Sequence, residues 1–383
     1  MIYLDYAATT PVDPTVARAL AAAMEDPAML ANPSASHAAG RQSDAHVAES
    51  AAQLAALIGC EPSQIVWTSG ATEADNLALL GAAHYRAKRG RHVVTMPTEH
   101  KAVSDAGRQL EREGFDVTWL APGSSGRLDP DVLEAGLRED TQLVSIMHVN
   151  NETGVIQDIA TLGALCRERD ILFHVDAAQS AGKLPLDFAA APIDLLSLSA
   201  HKMYGPKGIG ALVLADRPGC HVEPMLYGGG QQGGRRPGTL PVPLVVAFGA
   251  AAAVAGDRID DDLTHVRRLR ERLWRGISDL DGVYRNGEDE QHYPGILNVG
   301  VDGVEGESLL LALEPVCVAT GSACNSRDRE PSRVLRAMGR DDRQAQSAIR
   351  FSFGRFSTDE EIDLAIDRYR AAVTHLRALT PAA

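Results

Sequence analysis

One alternation constrains this chain more than any other feature. Through its first two thirds, short and almost wholly apolar runs are separated by stretches with helical spacing. The runs are QIVWTS (64–69), HVVTM (92–96), DVTWL (116–120), LVSIMHV (143–149), ILFHVD (171–176), LLSLSA (195–200) and IGALVL (209–214). Amphipathic helical patterns lie between them, for example over 72–89, 102–113 and 160–169. A strand that is apolar on both faces must be covered on both, and helices between successive strands supply the cover. The pattern therefore predicts an α/β fold with a buried, mainly parallel, seven-stranded sheet.

The alternation breaks at the Gly- and Pro-rich stretch YGGGQQGGRRPGTLPVP (227–243), after which a long helical segment is clearest over 261–280. Beyond it, short strands (295–301, 316–320, 349–353) mix with helices (305–313, 332–338, 358–377), the pattern of a smaller α+β domain. Charge narrows the partners. With 37 basic against 51 acidic residues the net charge is −14, which disfavours direct binding of nucleic acid. The N-terminal stretch carries Asp5 and no basic segment, so no secretory signal is expected. The longest apolar stretch, 243–256, reads as too short and too rich in small residues to span a membrane. Five cysteines (60, 166, 220, 317 and 324) without a CxxC pair argue against a disulfide framework or a zinc site and fit a reducing cytoplasm.

Several residues carry chemistry. Cys324 lies in VATGSACNSRDREPS (318–332), among small and polar neighbours, where a thiol is kept for reactivity rather than packing. In DLLSLSAHKMYGPKGIG (194–210) an apolar run ends at Ser199, Ala200, His201 and Lys202. A lysine there points into the crevice where α/β sheets bind ligands, and its amine can capture an aldehyde. In isolation, such a lysine is more often a solvated side chain. Asp176 ends another run, with Gln179 one turn later; the carboxylate can hold a pyridine nitrogen protonated and the amide can meet a phenolic oxygen. WTSGATEADNLAL (67–79) passes through Gly70 into a helix beginning near Thr72, an anion site suited to a phosphate, or simply a capped helix. His100 sits at a further strand-to-helix join, Asn150 and Asn151 follow a strand, and Arg350 lies on a short strand where its planar fork can take a carboxylate.

Together these segments resemble the cysteine desulfurases of the NifS/IscS type, in the class V aminotransferase group of fold-type I enzymes dependent on pyridoxal 5′-phosphate. The resemblance runs through YLDYAATTPVDP (3–14), NPSASH (32–37), TSGATEADNLA (68–78), TEHKAV (98–103), MHVNNETG (147–154) and HVDAAQSAGK (174–183). It continues in SAHKMYGPKGIG (199–210), RPGT (236–239), ATGSACNS (319–326) and IRFSFGRF (349–356). It implies that Lys202 is the Schiff-base lysine and Cys324 the acceptor of sulfur. It places Ala71, Thr72, Ser199 and His201 around the phosphate, with Thr239 reaching it from the other subunit of a homodimer. His100 would stack over the ring, Asp176 pair with its nitrogen and Gln179 with its oxygen, while Asn151 and Arg350 contact the cofactor or the carboxylate of L-cysteine.

The resemblance also implies a large domain over 14–255 and a small one built from 1–13 plus 256–383. Lys202 would remove the Cα proton and the Cys324 thiolate would attack the substrate sulfur, leaving alanine and a persulfide for a sulfur-acceptor protein. That acceptor is left open among iron–sulfur assembly, tRNA thiolation and DNA phosphorothioation. Three departures stand out: Gln232 where an acidic residue is common, the loop TGSACNS (320–326) where SGSACTS is commoner, and an end at HLRALTPAA, without the longer tail by which housekeeping relatives dock an iron–sulfur scaffold. Other readings stay open at this stage: a related pyridoxal-phosphate enzyme that needs no loop thiol, or a sulfur carrier using Cys324 alone. A dehydrogenase lacks its dinucleotide fingerprint.

Overall fold

A computed structural model of the chain describes residues 1–287, 290–320 and 330–379. The seven apolar runs form one sheet, in the order Ile65–Thr68, Gly210–Leu214, Leu195–Ser199, Leu172–Asp176, Thr141–Met147, His92–Thr95, Asp116–Trp119. Only Gly210–Leu214 runs antiparallel to its neighbours. Residues 200–209 are too few to hold a crossover helix, so the chain must return beside the strand it has just left. Gly210 makes that return fit: a Cβ there would lie 2.6 Å from the Cα of Gly70, on the neighbouring loop.

Adjacent residues within each strand feed opposite cores. Val93, Leu143, Leu172, Leu195 and Leu212 pack on one face, with Leu79 and Leu110 from the covering helices. Val94, Val144, Phe173, Leu196 and Val213 pack on the other, with Leu54 and Phe248. Both members of each pair are buried, at about 1.5–3 kcal/mol per large side chain, which is why the runs show no polar alternation.

The C-terminal part builds a four-stranded antiparallel sheet in the order Ala319–Thr320, Ile349–Ser352, Ile296–Val301, Val283–Arg285. Strand Ile2–Tyr3 joins this end of the molecule by pairing in parallel with Val316–Cys317. The run 316–320, expected as one strand, thus divides between two partners, because Ala319–Thr320 pairs instead with Ile349–Arg350. Leu4, Leu273, Val299, Phe351 and Tyr369 fill the core of this part.

Helix Val242–Ile277 runs through both cores, with Val245 and Phe248 in the first and Leu269 and Leu273 in the second. With a window of mean hydropathy 1.6, it is long and apolar enough by composition to cross a membrane, which the stretch 243–256 alone did not suggest. Its apolar face lies against helices Pro14–Glu25 and Ala38–Ile58, so its hydropathy is that of a core helix. The helix expected over 72–89 ends earlier. Helix Ala71–Asn76 passes through a wider turn, Leu77–Gly81, into Ala82–Tyr85. There Arg86, held by Asp170 at 3.0 Å, starts the turn back toward His92–Thr95.

Candidate active site

Five strands of the sheet end on one edge. Thr68 leads into Gly70 and helix Ala71–Asn76, and Thr95 leads to His100, the N-cap of helix Lys101–Arg112. Met147 leads to Asn151, while Asp176 and Ser199 close their own strands. Register keeps these ends level, with Met147 opposite Asp176 and Asp176 opposite Ser197. They surround a cavity of about 560 Å³ lined by Ala71, Thr72, His100, Asn151, Asp176, Gln179, Ser199, His201, Lys202 and Arg350, with Asp5, Ala7 and Ala8 from the N-terminal segment.

The turn carrying Lys202 is held from the N-terminus. Thr10 donates through both its N–H and its hydroxyl to the His201 carbonyl, each at 3.0 Å. Tyr204 adopts left-handed backbone (φ 63°), a conformation that costs a non-glycine residue about 1 kcal/mol or more. Its N–H donates to Thr10 Oγ1 at 2.8 Å, its carbonyl accepts from Asp13 N at 2.9 Å, and the Arg355 guanidinium lies 4.2 Å from its ring centre. So anchored, the turn sends Lys202 Nζ to the carbonyl oxygens of Ala7 and Ala8.

Electrostatics differ from wall to wall. Burial raises the pKa of Asp176, while His100 and Lys202 and a hydrogen bond from Ala178 N at 2.9 Å pull it down. His100 accepts from Ala102 N through Nδ1 at 3.2 Å, and burial lowers its pKa, so the neutral ring carries its proton on Nε2. Burial, joined by Lys202, Lys207 and Lys183, pushes His201 down to about 4. Arg350 donates through Nη2 to Asp5 Oδ1 and through Nη1 to the Asn151 carbonyl, both at 2.7 Å; its buried Nε has no partner among the described residues.

Ten of the residues singled out in the sequence therefore meet in one cavity. Thr239 does not line it; it is exposed on the loop that follows Gln231–Gly234. Cys324 lies outside the described residues. The structure adds buried groups that sequence reasoning missed. Asp75 is fully buried on the cavity wall, and Glu99 accepts from Met147 N at 2.9 Å behind it. Burial raises the pKa of both well above the usual carboxylate range. Glu152 accepts from Ser332 Oγ and is raised by burial to about 7. Lys183 stands behind Gln179. The only sequence signal for these was their place within the same motifs, since an acid in a helix's first turn ordinarily reads as a solvated capping charge.

The donor set fits pyridoxal phosphate. Ser199 Oγ is buried without a partner among the described residues, beside the opening turn of helix Ala71–Asn76, where backbone N–H groups await an anion. Gly70 has open space where a Cβ would stand. A buried carboxyl, an amide and an amine line the same cavity.

This fold and cavity define the type I architecture of pyridoxal-phosphate enzymes: a mostly parallel seven-stranded sheet with an amine at the carboxyl edge. The chain belongs to the aminotransferase class-V family, which its residues 2–364 match, and within it to the cysteine desulfurases, a pyridoxal-phosphate-dependent group. It is 53% identical over 381 residues to cysteine desulfurase IscS of Klebsiella pneumoniae, covering 99% of this chain and 94% of that protein. Among solved structures, a NifS-like protein superposes with a TM-score of 0.91 at 34% identity, covering 98% of this chain and 99% of that one. SspA in complex with cysteine superposes at 0.82 with 36% identity, covering 94% and 100%.

Proposed function

We propose that this protein is a cysteine desulfurase that takes sulfur from L-cysteine as a persulfide on Cys324 and releases L-alanine. The observation that carries the reading is the placement of Lys202 and Asp176 on two walls of one cavity, at the carboxyl ends of adjacent strands. Pyridoxal phosphate bound there supplies an aldehyde that captures amines and a ring that accepts electron density from the neighbouring carbon. Ala71, Thr72, Ser199 and His201 would hold its phosphate, Asp176 its ring nitrogen and Gln179 its phenolic oxygen, with His100 over the ring.

The chain's own groups account for the remaining work. Arg350 and Asn151 would orient the substrate carboxylate, and the Lys202 Nζ amine would take the Cα proton. The Cys324 thiolate attacks the substrate sulfur: the C–S bond breaks, an S–S bond forms, and the carbon fragment regains protons to leave as alanine. Atoms balance as cysteine plus one thiol giving alanine plus one persulfide.

We further assign a homodimer in which Thr239 reaches the partner's phosphate site, a cytoplasmic location, and a division into 14–255 and 1–13 plus 256–383. The long helix Val242–Ile277 would join the two units. An acceptor protein takes the persulfide onward, toward iron–sulfur assembly, tRNA thiolation or DNA phosphorothioation. The test is mass spectrometry after incubation with L-cysteine. One added sulfur atom is expected on the peptide containing Cys324, and none in Lys202→Ala; sulfur on that peptide in both proteins, or in neither, overturns the reading.

A further inference from the structure

Lys183 is a buried cation for which the chemistry above has no use. It is 7% exposed, and its Nζ donates to Gln179 Oε1 at 2.9 Å, four residues back in the same turn-rich segment. Among the described residues that is its only hydrogen-bond partner, and no carboxylate lies within ion-pairing distance of it. Its other neighbour is the face of Tyr293, 5.6 Å to the ring centre. Burial lowers its pKa to about 7, with Lys202 and Arg350 adding to the effect. A lysine kept in such surroundings needs a reason.

The reason lies in the Gln179 amide. That side chain, 5% exposed, donates through Nε2 to the Ala7 carbonyl at 2.7 Å, and it lines the cavity. An amide can turn over, exchanging its oxygen for its NH₂ group at little intrinsic cost. Here the exchange is opposed twice. As an ammonium, Lys183 has donors and no acceptor, while a carbonyl only accepts. Turned over, the amide would set NH₂ against the Lys183 donor and its oxygen against the Ala7 carbonyl. Both contacts would change from attraction to repulsion inside a buried site, where unsatisfied polar groups are most costly. With Oε1 held by Lys183, one Nε2 hydrogen goes to Ala7 and the second is left for a group in the cavity.

We propose that Lys183 is a positioning residue: through Gln179 Oε1 it locks the amide so that the site offers an N–H donor, not a carbonyl, to the phenolic oxygen of the bound ring. This rests on the cofactor reading above. A donor at that oxygen stabilises its negative charge, so losing it makes the adjoining proton harder to remove. A hydrogen bond to a charged group is worth enough to move a titration by about one pH unit.

The test uses the full-length protein loaded with pyridoxal phosphate and follows the visible absorption of the bound cofactor against pH. Lys183→Met is expected to raise the midpoint by about one pH unit. In a Gln179→Leu background the same substitution is expected to add nothing, because the lysine then has no amide to orient. Lys183→Leu, which likewise removes the donor, is measured alongside and should shift the midpoint in the same sense, so a misfolded methionine variant still leaves a decision. An unmoved midpoint, or a shift that persists in the Gln179→Leu background, overturns the proposal while leaving the cofactor reading intact. A wild-type protein that develops no visible band with pyridoxal phosphate overturns both.

Discussion

Arg350 Nη2 and Asp5 Oδ1 stand 2.7 Å apart, joining a C-terminal strand to the N-terminal segment at the cavity wall. The Asn151 carbonyl holds a second arm of the same fork. The guanidinium is thus oriented before any ligand arrives, which lowers the entropic cost of gripping a carboxylate.

Removing that grip tests its role. Arg350→Ala is expected to lower kcat/KM for L-cysteine by about 10- to 100-fold, the range for losing hydrogen bonds to a charged group. The loss should fall mainly on KM. Asp5→Asn keeps the arginine but loosens its aim and should cost less. Steady-state kinetics on the two variants separates them; equal losses would show that Arg350 is structural.

Asp75 yields a stability prediction with a definite sign. Its carboxyl is fully buried with no hydrogen-bond partner among the described residues, and His174 Nε2 lies 3.6 Å away. Burial raises its pKa well above the usual range, Asp176 adds to that, and Ser197 pulls the other way. The folded protein therefore binds the Asp75 proton more tightly than the unfolded chain, which ionises it above about pH 4. Its contribution becomes more unfavourable as pH rises from there toward the folded pKa. Asp75→Asn mimics the neutral form, so its stability relative to wild type should climb between pH 5 and pH 7.5 in urea titrations.

His174 shows the opposite trend on the acid side. It sits between Ser145 Oγ at 2.8 Å and Ser197 Oγ at 2.9 Å, and burial pushes its pKa down to about 3. In the unfolded chain the ring protonates near pH 6.5, so its contribution to stability is lost as pH falls below that value. Between pH 7 and pH 5 the loss from this group is about 2 kcal/mol. His174→Gln cannot titrate. It is expected to be less stable at pH 7 and to close about that much of the gap at pH 5, measured by thermal or urea unfolding.

Gln232 bonds the sheet edge as an added strand would. Its Oε1 accepts from Trp67 N at 2.6 Å, while its Nε2 donates to the carbonyls of Trp67 at 2.9 Å and Arg236 at 3.2 Å. An acidic residue cannot donate to those carbonyls. Gln232→Glu is expected to destabilise the protein by about 1–3 kcal/mol, the cost of leaving half-buried acceptors facing a carboxylate. Denaturant midpoints at constant m-value would register it.

Much of the site was legible because its residues fall at strand ends, which apolar runs mark by themselves. Asp176, Ser199 and Lys202 each follow such a run, and the sheet brings all the ends to one edge. Boundaries shifted where pairing intervened. Val316–Cys317 and Ala319–Thr320 read as one strand in the chain, yet the first pairs with Ile2–Tyr3 and the second with Ile349–Arg350. Nothing in five consecutive residues states which partner each will meet.

The buried charges were not legible for a related reason. Asp75 and Lys183 look like solvated helix or turn residues until the packing around them is known, because burial depends on what other segments bring near. The amino-acid order alone determined the sheet and many of the groups at the strand ends that border the cavity, since periodicity and residue type are local properties. Tertiary structure alone decided which acids have their pKa raised by burial, which way the Gln179 amide faces and how Asp5 aims Arg350. Those depend on desolvation and on contacts between residues hundreds of positions apart.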